Sequence, residues 1–283
     1  MPQTPAEQQV AARKSSVIMS TTPFPSLGPP PWPARLTRAS LWVGAGGLLL
    51  ILICGPAYRF GMVGVRAALL TLVAGLVILV AATLLTIIGL LVASARKVRI
   101  PRAAAVVGII VGLAASGYLL SWIERAKSAP PIHEISTDLA DPPAFVAVTA
   151  LRTQSHAVNP PEYVPLVHGP GGTIIDVPQM QRLHYPDIQP LQLAAAPAAA
   201  LEAAQRAALR LGWEIVAFVP AEGRLEATDT TAFFGFKDDV VVRVRASAGG
   251  ARLDLRSKSR VGLSDVGTNA ARARAFLKLV EGG

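Results

Sequence analysis

Residues 259–269 combine glycines with side chains that could bind an anion. The run leaves an expected strand, turns at Gly262 and Gly267, and enters an expected helix. Backbone N–H groups at a helix start attract anions, and neighbouring arginine and serine side chains would complete such a site. We predict an anionic-ligand site made of Arg243, Arg256, Ser259, Arg260, Ser264, Asp265 and Asn269. The alternative is a turn without a ligand, in which Asp265 or Thr268 caps the helix.

A second candidate cluster contains carboxylates on adjacent strands, a histidine and a nearby acid. Its members are His133, Asp138, Asp229, Asp238 and Asp239. Paired carboxylates can exchange protons with a substrate or hold a hard cation. An enzyme would use Asp229, Asp238 or His133 for such chemistry. The alternative is structural, with the strand carboxylates in salt bridges to Lys237 or Arg243.

Other reactive sites lack their sequence signatures. Cys54 is the single cysteine, which excludes an intrachain disulfide and a cysteine-based zinc site. The four histidines have no His-x-x-x-His spacing. No serine lies in a Gly-x-Ser-x-Gly nucleophile elbow, and no Walker-type glycine loop is present. We therefore predict no metal and no cofactor, and we favour a binding function over catalysis.

Hydrophobic periodicity in the C-terminal half predicts the elements that would position these residues. A helix over residues 197–211 begins at Pro197 and stops at Gly212. Four strands and a closing helix are then predicted at residues 213–219, 224–230, 239–246, 251–257 and 269–280. This order predicts an α+β fold, a two-layer α/β sandwich with an antiparallel sheet of about four strands. We expect residues 130–192, which are rich in proline, to form an extended arm with little regular structure.

Alternation along the last two strands predicts one apolar and one charged sheet face. If residues 246 and 251 close the hairpin, Arg243 opposes Asp254 and Arg245 opposes Arg252. The first pair is favourable and the second is repulsive. Two close arginines indicate an anion or a partner carboxylate, and the alternative is a solvated sheet face.

The N-terminal half differs in composition from this domain. Residues 39–58, 67–95 and 103–123 contain no Asp, Glu, Lys or Arg, and a bilayer core needs about 20 apolar residues of helix. A bundle of three transmembrane helices is therefore predicted over 39–123, after a disordered proline-rich tail at residues 1–38 in which Met19 is an alternative start. Residues 1–128 hold 12 basic and 2 acidic residues, whereas 129–283 hold 15 and 16. The positive charge therefore flanks the spans, and nucleic acid is not an expected partner.

The flanking charges also predict which way the helices point. Six basic residues lie near the membrane on the side of the N-terminus and the second loop, and four lie on the other side. The positive-inside rule puts the N-terminus in the cytoplasm and the domain at residues 130–283 outside. In a Gram-negative cell this means an inner-membrane protein with a periplasmic domain.

The predicted spans lack ionisable Asp, Glu, Lys, Arg and His side chains, which pumps and ion transporters place inside the membrane. Transport by these helices alone is therefore not expected. Gly108, Gly112 and Ser116 form a small-residue stripe that would let helices pack closely, either within the chain or with a membrane-protein partner.

Several blocks of the C-terminal half occur in a recognisable order. They are residues 132–138 (IHEISTD), 141–145 (DPPAF), 185–188 (YPDI), 227–231 (ATDTT), 235–240 (GFKDDV) and 254–269. Together they span more than half of the chain and resemble the bacterial domain-of-unknown-function 1499 family. Other chains with this resemblance often carry N-terminal membrane spans. The family's activity is unknown, so the resemblance implies an identity at the level of the fold and no catalytic residues. The longer insert around residues 169–172 departs from the family pattern.

Three functional hypotheses follow from the sequence. The first is an inner-membrane protein whose extracytoplasmic domain binds an anionic ligand or a protein partner in the cell envelope. The second is an envelope-acting enzyme that uses Asp229, Asp238 or His133. The third is a small accessory subunit of a larger membrane complex, with the glycine stripe as its contact.

Overall fold

The computed structural model of the protein describes residues 31–155 and 157–282. Most of the predicted disordered tail, including Met19, lies outside the described residues, as does His156. Residues 32–38, which the sequence assigned to that tail, belong to the first helix. Pro33 fits there because a proline in the first helical turn loses no intrahelical hydrogen bond.

Three N-terminal helices are long and apolar enough to cross a membrane. They are α1 (Trp32–Arg59), α2 (Val65–Ala95) and α3 (Arg102–Ser128), and each contains one of the predicted spans. Their lengths and composition indicate a lipid bilayer environment. Each helix continues into its basic flank, because arginine and lysine are good helix formers.

Small residues let these helices approach closely. A Cβ atom at Gly47 of α1 would lie 2.9 Å from the carbonyl oxygen of Gly75 in α2. On α3, a Cβ at Gly108 would lie 2.6 Å from the Leu41 side chain, and one at Gly112 would overlap Thr83. Two members of the predicted stripe therefore contact helices of the same chain, and Ser116 Oγ donates to the Gly112 carbonyl at 2.8 Å.

The rest of the described chain forms an α+β domain. Its strands are β1 (Glu134–Ser136), β2 (Leu166–His168), β3 (Ile174–Asp176), β4 (Leu191–Leu193), β5 (Glu214–Val219), β6 (Arg224–Thr230), β7 (Lys237–Ser247) and β8 (Gly250–Ser259). Its helices are α4 (Ala147–Gln154), α5 (Val177–His184), α6 (Pro197–Arg210) and α7 (Thr268–Glu281). The predicted fold class is confirmed.

The main sheet is antiparallel and has six strands, two more than the sequence indicated. Its order is β1-β8-β7-β6-β5, and β4 also pairs with β8. The predicted hairpin register is confirmed, with Arg243 opposite Asp254 and Arg245 opposite Arg252. The two added strands, β1 and β4, come from the arm, and β2 and β3 form a separate small sheet. The expectation that the arm has little regular structure was therefore wrong in part.

Helices α6 and α7 cover one face of the main sheet and form the apolar core with it. Leu225, Val242 and Leu255 are fully buried on this side. The Trp213 ring stacks on the Phe276 ring of α7 at 5.1 Å. The arm, including α4, covers the opposite face, where Phe145 and Val148 pack on Val241.

Candidate functional site

The sheet face beneath the arm is lined by charged side chains. Side chains alternate between the two faces of a strand, so the residues between the core positions of β6, β7 and β8 point toward the arm. The buried charged side chains of the described domain are Glu134, Arg152, Glu226, Asp238, Asp239, Asp254, Arg256, Lys258, Arg260 and Arg272. Most of them lie on this face, so the alternative of a solvated sheet face is wrong for its centre, whereas Arg245 and Arg252 near the β7–β8 turn stay partly exposed.

Asp239 is the centre of one buried ion cluster. Its carboxylate accepts from Arg152 of α4 at 2.6 Å, from Arg260 at 2.8 and 2.9 Å, and from the Thr228 hydroxyl at 2.8 Å. Burial lowers the pKa of Arg152, and the charge of Asp239 opposes that shift. The carboxylate fastens α4 to the sheet, and its lone pairs are already used.

Glu134 is the centre of a second buried cluster on the same face. It pairs with Lys258 at 3.0 Å and accepts from Arg256. Arg256 also donates to the carbonyls of Pro143 and Pro161, and its guanidinium lies 4.6 Å from the Phe145 ring centroid. Burial lowers the pKa of Lys258. Arg256 and Arg260, both predicted to bind an external anion, are therefore neutralised within the domain.

Three arginines near the β7–β8 turn pair with carboxylates from the arm. Arg252 donates to Asp138 at 2.7 Å, and Arg245 donates to Asp141 at 2.9 Å. Arg243 is 3.1 Å from Asp254 and 3.3 Å from Asp138. The hydrogen bond to Arg245 lowers the pKa of Asp141. The counter-charge expected beside the close arginines is thus supplied by this chain.

The structure divides the predicted carboxylate cluster between the two sheet faces. Asp229 and Asp238 point toward α7, where both accept from Arg272, at 2.8 and 2.6 Å. Asp239 points the opposite way, toward the arm. Their ion-pair partners are therefore distant arginines, in place of the expected Lys237 or Arg243. Successive residues of a strand face opposite ways, so Asp238 and Asp239 cannot share one ligand on one face.

The turn at residues 259–269 is capped by its own side chains. Asp265 accepts from the backbone N–H groups of Gly267 at 2.7 Å and Asn269 at 3.1 Å. The Asn269 side chain donates to Ser259 Oγ and to the His133 carbonyl, each at 3.0 Å. Burial raises the pKa of Asp265. The Asp265 carboxylate therefore occupies the position at the start of α7 where the sequence suggested an anion.

Ser264 and His133 support the same turn. Ser264 Oγ lies 3.3 Å from the Pro130 carbonyl and accepts from the Val266 N–H. His133 is buried, with Nδ1 3.4 Å from the Leu263 carbonyl. Burial and the positive charge of Lys258 lower the pKa of His133. A neutral imidazole at this position fits a hydrogen-bonded structural role.

An open cavity of about 250 Å³ lies between the arm and β8. Its polar lining includes Asp138, Gln181, Arg182, Tyr185 and Arg252. The Gln181 side chain is fixed by two hydrogen bonds to the Ser136 backbone, at 2.6 and 3.0 Å. Arg182 is exposed and has no ion pair among the residues that the structure describes. Two guanidinium groups and one carboxylate give the lining a net positive charge.

Of the residues placed in the two predicted site clusters, only Asp138 lines this cavity. The others lie in the internal clusters. Arg252, which the predicted hairpin placed opposite Arg245, lines the cavity as well. Gln181 and Arg182 were not predicted because they belong to α5 in the arm, where no long periodic pattern marks an element. Tyr185 directly follows this helix. The Tyr-Pro-Asp turn at residues 185–187 was the one local signal near the cavity.

The donor groups of the described residues do not converge on a metal position. In that part of the chain no group of three or more His, Cys, Asp or Glu side chains could hold a metal ion. The prediction of no metal and no cofactor stays a prediction.

The fold and its charged layer define an α+β domain joined to three helices capable of spanning a membrane. Comparison with known families matches residues 134–280 to the family described as a protein of unknown function, DUF1499. The match covers more than half of the chain, and the protein belongs to this family. No curated protein and no solved structure matches the chain.

Proposed function

We propose that this protein is a membrane-anchored binding protein whose domain, over residues 130–283, holds a small anionic ligand in the cavity between the arm and β8. The observation that carries the proposal is the pair of guanidinium groups in that cavity, Arg182 and Arg252. A cavity of about 250 Å³ is suited to a small ligand, because sites for drug-sized molecules occupy roughly 300–1,000 Å³.

The two arginines would act differently on an anion. Arg252 already shares its charge with Asp138 and Asp254, at 2.7 and 3.1 Å, and is therefore held in place. Arg182 projects from α5 without a carboxylate partner among the described residues. A carboxylate or phosphate monoester would pair with Arg182 and receive a second hydrogen bond from Arg252. Tyr185 would contact the apolar part of the ligand.

We further propose that the domain lies outside the cytoplasm, in the periplasm of a bacterial envelope, with the N-terminus of the chain in the cytoplasm. The excess of basic residues around the second loop, Arg96, Lys97, Arg99 and Arg102, supports this orientation. Alkaline phosphatase fused after residue 283 should be active, and a fluorescent protein that folds only in the cytoplasm should stay dark there. The reverse pattern would overturn the orientation without affecting ligand binding.

Native mass spectrometry of the full-length protein tests the binding function. The wild-type protein, released from detergent, should carry a small anion that Arg182→Gln loses. The matched control is Arg210→Gln, on the exposed end of α6 away from the cavity lining. Titration with succinate and with glycerol phosphate gives a second readout.

We expect Arg182→Gln to weaken binding of the better probe by about 10-fold or more, since a hydrogen bond to a charged group contributes about 1.5–3 kcal/mol. Arg210→Gln should bind like the wild type. If neither an intrinsic anion nor either probe binds the wild-type protein, or if both variants bind equally well, the cavity is not an anion site.

A further inference from the structure

The loop between β6 and β7 carries a cluster of aromatic side chains. Phe233, Phe234 and Phe236 lie within six residues, 231–236. The rings of Phe233 and Phe234 meet edge to face, and those of Phe234 and Phe236 stack. The ring centroids are 5.0 Å apart in each pair. Phe233 is 40% exposed. Phe234 and Phe236 are half-buried. A contiguous apolar cluster at a loop tip, unlike a single exposed side chain, can mark a contact with a membrane.

This aromatic loop rests on the end of α1. The Phe233 ring lies so close to Gly55 that a Cβ atom there would come within 2.6 Å of it. The Phe236 ring lies 5.2 Å from the Tyr58 ring, and Arg59 donates to the Ala232 carbonyl. The loop is therefore level with the last turns of a helix that is apolar enough to span a bilayer.

Charged and apolar groups around the loop match the chemistry of a bilayer interface. Arg59 and Lys237, both exposed, flank the aromatic rings, as basic residues do where they meet anionic headgroups. The neighbouring turn presents Leu263, which is 59% exposed. Its Ser264 contacts the Pro130 carbonyl, just after α3 ends. Two loops at one end of the sheet thus lie beside the ends of two apolar helices.

We propose that the aromatic loop inserts into the headgroup interface of the lipid bilayer and holds the domain against the membrane by the β6–β7 end of its sheet. The proposal rests on the membrane anchoring proposed above. It places the β7–β8 turn at the far end of the domain, about 33 Å away along the 11 residues of β7. The arginine-lined cavity, which includes Arg252, then opens near that distal end.

Spin-label accessibility in full-length protein tests this insertion. Cys54→Ala provides the background, and single cysteines replace Ala232 in the aromatic loop, Ala248 in the β7–β8 turn or Ile110 within α3. The protein is reconstituted in vesicles of phosphatidylethanolamine and phosphatidylglycerol. Oxygen concentrates in the bilayer and a nickel chelate stays in water, so the ratio of the two collision rates reports depth.

The label at position 232 should have an oxygen-to-nickel ratio several-fold above that at position 248 and below that at position 110. A ratio equal to that at 248 would mean that the loop is in water. Low collision rates with both reagents at 232 would mean that protein covers the loop. Either result overturns the lipid contact. A label at 110 that is exposed to water would instead refute the anchoring itself.

A double variant tests whether the aromatic rings themselves hold the loop at the membrane. Phe233→Ser combined with Phe234→Ser should lower the ratio at position 232 to that at 248. Leu183→Ser, which removes an exposed apolar side chain on α5, should leave it unchanged. An unchanged ratio in the double variant would show that the aromatic rings do not hold the loop at the membrane.

Discussion

Most of each face of the main sheet is buried, but by different interactions. Toward α6 and α7 the sheet presents aliphatic side chains such as Val242 and Leu255. Toward the arm it presents Glu226, Asp239 and Arg256. The first face is stabilised by the removal of apolar surface from water. The second depends on each charge meeting a partner, because an unpaired buried charge is strongly destabilising.

The difference shows that a row of charges on a strand need not mark a ligand site. The arm brings Glu134, Asp138 and Asp141 to the sheet, and α4 brings Arg152. These groups neutralise the face from within the chain. Directional ion pairs also require one register between arm and sheet, whereas aliphatic contacts tolerate several. The open cavity is different because Arg182 keeps its charge toward solvent.

The largest expected effect is on the charged face. Asp239→Asn leaves Arg152 and Arg260 buried without their counter-charge, so it should lower the free energy of unfolding by about 3–5 kcal/mol. Pulse proteolysis in urea measures this in the full-length protein. The control Asp187→Asn breaks an exposed ion pair with Arg274. It should lower the free energy of unfolding by under about 1 kcal/mol. Equal losses in the two variants would refute the idea that burial makes the Asp239 cluster different.

On the apolar face, the loss of stability should follow the side-chain volume that a substitution removes. Leu255 is fully buried among core residues, and Leu255→Ala should lower the free energy of unfolding by about 3 kcal/mol through lost burial and a residual cavity. The same proteolysis assay gives the value. The matched control is Leu183→Ala on the exposed side of α5, which should change stability by under about 0.5 kcal/mol. A loss below about 1 kcal/mol in Leu255→Ala would contradict a packed core on this face.

A smaller effect is expected where the charged face holds the start of α4. Glu226 accepts from the backbone N–H groups of Val146, Ala147 and Val148, at 2.9 to 3.1 Å. Glu226→Gln keeps one acceptor oxygen and loses the charge, so it should cost about 1–2 kcal/mol. Glu226 also pairs with Arg224. The control Glu222→Gln removes an exposed carboxylate that pairs with the same arginine. If Glu222→Gln destabilises the domain as much as Glu226→Gln, the hydrogen bonds from Glu226 to the start of α4 do not contribute to stability.

The smallest expected effect is a dependence on pH. Burial holds the pKa of His133 below its usual 6.5, so near this pH the unfolded chain binds more protons than the folded domain. The resulting contribution to stability is present above pH 6.5 and is lost as the pH falls below it. His133→Gln should reduce the stability difference between about pH 7.5 and about pH 5.5 by under about 1.4 kcal/mol. The same dependence of stability on pH in the wild type and in His133→Gln would contradict this contribution.

The sequence predicted well those features that depend on local periodicity. Long runs without charge identified the three helices, and alternation gave the hairpin register with Arg243 opposite Asp254. Pro197 and Gly212 bounded α6 almost to the residue. These patterns are read from neighbouring residues and need no knowledge of the tertiary structure.

The sequence could not predict which charges would meet. Arg152 and Asp239 are 87 residues apart in the chain, and the proline-rich arm between Pro130 and Gln192 has no periodicity that reveals its path. Arg256 resembled a ligand-binding residue because its partners, Glu134 among them, lie in that arm. Arg260 did so because its partner Asp239 lies on the neighbouring strand β7. Arg182 could not be predicted as a site residue because an exposed arginine on a short helix has no distinctive spacing. Its position beside Arg252 depends wholly on how the arm folds back.

Hydrogen exchange of the full-length protein tests most directly whether the charged face is a closed internal layer. The amides of Val146, Ala147 and Val148 all donate to Glu226 beneath the arm. We expect their peptide to exchange as slowly as the peptides of β7, in the centre of the sheet. Exchange at the rate of an open loop would show that the arm leaves the sheet readily. The charged face would then be an accessible surface and not a closed internal layer.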